Sequence, residues 1–249
     1  MRGRDLGWLL LLVVFASSKP ARAARAPSSR SLPPLPPDVD VYEEPSDREL
    51  LEPPETPSAD DLLWARYVGD KGHAHPLPNE DRKSVTRKLS RFERWALAPY
   101  FPVAEDLEVT LNHGDLLALI PGARERLEQA RKQNPELVQK ALDAYKRFQK
   151  GGPGDVQALT AVNPATGKGE IFVPRVVPLY TRWWLSVLGH ELAHVSQYRM
   201  GMTPPQILEA LTRHGYVDSP IEVQARVVQR QVLRGLTMRA RNYYRGKAR

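Results

Sequence analysis

Leu188-Gly189-His190-Glu191-Leu192-Ala193-His194-Val195-Ser196-Gln197 is the stretch whose reading decides this chain. Its core is H-E-x-x-H inside an apolar run. On a helix, residues four apart lie on one face, so His190 and His194 stand one turn apart and point the same way. Two imidazoles at that spacing can share one tetrahedral Zn²⁺, with Glu191 directed at a water in the open position. Zinc lowers the pKa of such a water from 15.7 to about 7, within reach of a carboxylate base. The plainer alternative is a buried helix that happens to carry two histidines and an acid. Adjacency of the three polar residues, the apolar flanks and a stop at Gly201 favour the metal site.

A catalytic zinc takes three protein ligands and keeps one position open. The chain has no cysteine, so thiolate ligands are excluded and the set must be nitrogen and oxygen. Downstream, Thr203-Pro204-Pro205-Gln206 starts one helix, Gly215 ends it, and Asp218-Ser219-Pro220-Ile221-Glu222 starts another. Glu222 is the preferred third ligand, with Ala225 one turn later allowing close approach. Asp218 and His214 compete with it. Ser219-x-x-Glu222 also fits a capping box, in which the acid would bind the Ser219 backbone instead. His214 and Tyr216 are candidate donors to a tetrahedral oxyanion.

Upstream of Tyr180–Met200, the predicted site helix, Val156–Val162 and Glu170–Val177 read as strands joined by the hairpin or loop Asn163-Pro164-Ala165-Thr166-Gly167-Lys168-Gly169. Leu107–Leu111 alternates and predicts a strand. Val85, Leu89, Phe92 and Ala96 predict a helix over Lys83–Leu97. Two more helices fit Ala123–Lys132 and Pro135–Lys150. His73-Ala74-His75 is read as loop. The chain is thus expected to be α+β, a small sheet packed on the site helix.

The 249 residues divide by composition. Arg2 and Arg4, the run Leu9–Ala16 and Ala21-Arg22-Ala23 form a signal-peptide pattern over 1–23. This predicts a secreted or periplasmic protein with no transmembrane helix after its removal. Residues 24–60 are Pro-rich, with Pro33-Pro34-Leu35-Pro36-Pro37 and Pro53-Pro54-Glu55-Thr56-Pro57, and read as a disordered linker. The folded domain is expected over 61–249. Residues 38–61 hold ten acids against Arg48, net −9, whereas 62–249 carry +11 within an overall +7. The basic domain could therefore fold back on the acidic segment or meet an anionic envelope surface. Arg226, Arg230, Arg234 and the Arg-rich end read as a solvated face and frayed tail. No motif for specific nucleic-acid binding is present.

At Leu188–Gln197 the chain resembles the gluzincin zinc metallopeptidases. More narrowly, it looks like a bacterial peptidase-like domain, the extracellular contractile injection system core domain, whose helix reads H-E-L-x-H-x-x-Q. Leu107-Glu108-Val109 and Glu170-Ile171-Phe172-Val173 are similar to strands of that family, and Gln197 to the glutamine after its second His. The likeness spans Ala98–Arg230. Related gluzincins supply a third ligand from an E-x-x-A helix, matched by Glu222 and Ala225. Arg226 stands where relatives often carry Asp or Asn, and Gln224 replaces a common acid. The resemblance implies a zincin-like fold, zinc on His190, His194 and Glu222, Glu191 as base, and a protein or peptide substrate. A different class, a non-catalytic envelope or injection-apparatus component with a structural or vestigial metal, is the alternative.

Overall fold

The structure is a computed structural model. It describes residue 50, residues 56–73, 86–112, 158–162, 169–173, 182–203 and 218–247, and parts of 123–146 and 206–214. The expected signal peptide and most of the expected linker lie outside the described residues, as do Tyr216 and His75.

The fold is α+β. Helix α1 (Ala59–Asp70) precedes strand β1 (Thr86–Lys88) and helix α2 (Arg91–Leu97). A 3-10 turn at Ala104–Leu107 leads into β2 (Thr110–Asn112). After α3 (Ala123–Gln133) come β3 (Leu159–Val162), β4 (Gly169–Phe172), α4 (Arg182–Arg199) and α5 (Pro220–Lys247). The sheet has the order β1-β2-β4-β3 and is mixed. β2 and β4 run parallel, while β1 pairs antiparallel with β2 and β3 antiparallel with β4. The anticipated pair over Val156–Val162 and Glu170–Val177 is this last hairpin, in register Thr160 opposite Ile171.

The hydrophobic core forms around α4. Every residue from Arg182 to Val195 is buried, because β3 and β4 lie against the helix and α5 packs along it. The α4–α5 approach passes over Gly189, where an added Cβ would stand 2.8 Å from Val232 Cγ2. Absence of a side chain there lets α5 reach the His-bearing turn. Gly201 closes α4 as anticipated. Its φ of 96° is open to glycine at little cost. Its N–H bonds Tyr198 O and the Met202 N–H bonds Gln197 O, the two bonds of a Schellman cap.

Several local expectations are corrected. Lys83–Leu97 is not one helix: Thr86–Lys88 pairs with Asn112–Thr110 as a strand, and the helix begins only after Ser90. Ser90 and Glu93 form a reciprocal capping box, and Glu93 also accepts two bonds from Arg87 at 2.7 and 2.8 Å. Cap and strand partner together outweigh the helical period of the apolar residues. Leu107–Leu111 is strand only from Thr110, the 3-10 turn having claimed Leu107. The predicted helix at Ala123 is present, and the described residues between 135 and 146 are helical, with Val138 buried against Leu127.

The basic C-terminal stretch is not frayed but is the end of a 28-residue helix. Acids of α1 hold it. Asp60 pairs with Arg241 at 3.1 Å, Asp70 with Lys247 at 3.1 Å, and Arg239 lies over the Trp95 ring. Asp60 and Asp61 also reach Arg182, the buried first residue of α4, which bonds Thr237 of α5 as well. These two acids thus fold back on the basic domain.

Ordered structure also begins earlier than Asp61. Ser58 caps α1 in a capping box with Asp61. Leu50 is 1 % exposed, and its carbonyl accepts bonds from Trp183 Nε1 at 3.2 Å and Gln229 Nε2 at 2.9 Å. Both donors are buried, so losing this acceptor would leave two polar groups unsatisfied. Leu50→Ala, which keeps the carbonyl and removes only the side chain, is expected to cost about 2–5 kcal/mol. Urea denaturation monitored by tryptophan fluorescence would read this as a lower midpoint at unchanged slope.

Candidate metal centre

The burial of α4 brings His190 and His194 to the helix face met by the first turn of α5. There Glu222 projects toward both imidazoles. His190 Nε2 lies 3.2 Å from His194 Nε2 and 3.3 Å from Glu222 Oε2, and His194 Nε2 lies 3.5 Å from Glu222 Oε1. All three side chains are buried. Ligand bonds of about 2.0–2.2 Å at tetrahedral angles separate neighbouring ligand atoms by about 3.3–3.6 Å. Each of the three residues offers a ligand atom within 4.8 Å of the other two, so the side chains converge at about the scale of one metal site. The group can hold a metal ion.

Hydrogen bonding fixes which nitrogen of His194 faces inward. Gln197 donates from Nε2 to Ile221 O at 3.2 Å and to Gln224 Oε1 at 2.9 Å. Those bonds orient its amide with Oε1 toward His194 Nδ1, 2.9 Å away. An amide oxygen only accepts, so Nδ1 carries a hydrogen, and in the neutral ring Nε2 presents its lone pair to the centre. Gln224 thus reaches the site at one remove. It holds Gln197 while Gln197 holds the histidine.

Glu222 has no capping role in these contacts. Ser219 Oγ is buried without a hydrogen-bond partner among the described residues, so the reciprocal Ser–Glu box is not formed. His190 Nδ1 is likewise buried without a hydrogen bond among the described residues, and Glu222 Oε2 has only its close approach to His190 Nε2. Lone pairs of two imidazoles and a carboxylate facing one another out of water are costly unless a cation sits among them. Without a metal that cation is a proton. Burial works against protonating His194, but the Glu222 carboxylate prevails and raises its pKa to about 9. Burial would likewise push Glu222 up, but the two histidines hold it below the ordinary carboxylate range.

Glu191 is buried one residue beyond His190, and its charge is felt at His194. Its Oε2 accepts a 2.6 Å hydrogen bond from Thr160 Oγ1 on β3. Tyr198, half-buried one turn beyond His194, continues the 190, 194, 198 row. Burial, aided by the charges of Glu191 and Glu222, pushes its phenol pKa far up, so the hydroxyl stays protonated and able to donate. Of the other anticipated residues, Asp218 and His214 are exposed and stand outside the His190–His194–Glu222 group. The sequence reading overlooked Thr160 and Tyr198. The four-residue spacing pointed to Tyr198. Nothing in the sequence pairs Thr160 with Glu191 across 31 positions. No protein-family model matches the chain, and neither the curated proteins nor the solved structures contain a match to it.

Proposed function

We propose that this chain is an exported, zincin-like zinc metallopeptidase that hydrolyses peptide bonds of a protein or peptide substrate. One observation carries the reading. Two imidazole nitrogens and a carboxylate converge within reach of one ion, and a further carboxylate, Glu191, is buried beside them. An N₂O donor set of this size suits Zn²⁺, and its three ligands leave one of four positions for a water or substrate. Zinc there would lower the pKa of a coordinated water to about 7 and polarise the scissile carbonyl.

The remaining chemistry belongs to the chain. Glu191 takes a proton from the attacking water and later gives it to the nitrogen of the departing amine. Gln197, braced by Gln224, keeps the His194 ring turned toward the metal. Tyr198, a hydroxyl donor on the same helix face, is suited to the oxyanion of the tetrahedral intermediate.

The test is metal content and hydrolysis measured together. The purified chain, supplied with zinc, is expected to hold about one zinc by mass spectrometry and to cleave an unfolded casein substrate. A chelator should abolish cleavage, and added zinc should restore it. Failure to bind zinc would overturn the proposal. Stable zinc without cleavage across a diverse peptide library would instead leave a structural metal in a non-catalytic envelope component.

A further inference from the structure

Thr160 presents a feature that burial alone does not explain. It lies on β3, the last strand of the sheet, flanked by buried Leu159 and Ala161 and opposite fully buried Ile171. A valine would fill such a place equally well and bring no polar atom. The threonine hydroxyl instead stands 2.6 Å from Glu191 Oε2 and 3.1 Å from the Glu191 backbone oxygen. A hydroxyl has one proton and a carboxylate only accepts, so the short contact is a charge-assisted O–H···O⁻ bond. The longer contact falls on a carbonyl within the α4 ladder.

We propose that Thr160 is a positioning residue for proton transfer, its hydroxyl holding Glu191 Oε2 so that Oε1 alone accepts and returns the proton. The inference rests on the peptidase reading above. In the balanced step, a bond forms between the water oxygen and the scissile carbon, and the water proton passes to Oε1. The carbon–nitrogen bond then breaks, the same proton goes to the departing nitrogen, and Glu191 is again a carboxylate. An untethered glutamate has several rotamers and two equivalent oxygens. Fixing one oxygen from a strand removes that freedom before substrate arrives. The bond also ties the sheet to the turn of α4 that carries the chemistry.

The experiment compares the full chain with Thr160→Val and Thr160→Ser. Both variants are expected to take up the same zinc per chain as the wild type. On casein, Thr160→Val should lower kcat by roughly 10- to 100-fold with KM unchanged, and Thr160→Ser should recover most of it. In crystals of Thr160→Val the Glu191 side chain should leave its single rotamer, whereas in Thr160→Ser it should keep it. A wild-type kcat in Thr160→Val would overturn the proposal, as would equal losses in both variants. If the wild type binds zinc but cleaves nothing, the peptidase reading fails by itself. The crystallographic arm still decides the contact: Glu191 unmoved in Thr160→Val would show that the hydroxyl does not position it.

Discussion

Glu191→Gln is expected to leave zinc uptake intact and to lower peptide hydrolysis by about 10²–10⁴-fold, the usual contribution of a positioned general base. The substitution is nearly isosteric. The glutamine oxygen can still accept the Thr160 hydroxyl that now bonds Glu191 Oε2. The metal triangle is built from His190, His194 and Glu222 alone, so its dimensions do not depend on residue 191. What disappears is a group able to take a proton and give it back. The signature is therefore a fall in kcat with full metal occupancy. Loss of zinc in Glu191→Gln would place residue 191 among the ligands. Undiminished hydrolysis would remove it from the mechanism.

Legibility of the sequence followed the range of the interactions. The site helix was readable because its signals are local: a four-residue histidine spacing, apolar flanks and a glycine two residues past its end. The structure places the helix at Arg182–Arg199 with Gly201 in the left-handed region. The β3–β4 hairpin was readable for the same reason, since its two apolar runs are separated by a turn-rich segment. Lys83–Leu97 failed because two local signals conflicted. The helical period of Val85, Leu89, Phe92 and Ala96 runs through the segment, whereas the Ser90-x-x-Glu93 box starts the helix later. Leu50, Thr160 and the pairing of Asp60 with Arg241 were beyond reach. Each is a contact across 31 residues or more, made by a residue of no distinctive type. Glu222 lay between these cases. Its sequence context fitted both a cap and a ligand, and only the three-dimensional neighbours separate them.

Gln224 Oε1 accepts a hydrogen bond from Gln197 Nε2, a bond that a carboxylate at 224 would also accept. Gln224 is itself exposed, and its neutral amide makes that bond without adding a charge beside the buried Glu191 and Glu222.

Metal and proton compete for one place at this site, and Glu222 sets the terms. Because its carboxylate raises His194 to about 9, zinc binding below that pH must expel a proton. Zinc affinity is therefore expected to rise about tenfold per pH unit between roughly pH 6.5 and 9 and then to level off. Glu222→Gln removes both a ligand and the charge that holds the proton. Affinity should fall by at least about 100-fold, and the steep region should move below pH 6.5, leaving a flat profile from 7 to 9. Stability follows the same linkage. In the metal-free protein the raised His194 pKa contributes stability that is full below about pH 6.5 and is lost as pH climbs through about 9. The depressed Glu222 pKa contributes stability above the ordinary carboxylate range that is lost on acidification. Metal-free wild type should accordingly melt at lower temperature at pH 9.5 than at pH 6.5, while the zinc-loaded protein gains rather than loses over that interval. Calorimetric zinc titrations in two buffers of different ionisation enthalpy would count the expelled proton directly. A zinc affinity independent of pH between 7 and 9 in the wild type would show that His194 carries no proton to displace, and the Glu222–His194 pairing drawn here would fail with it.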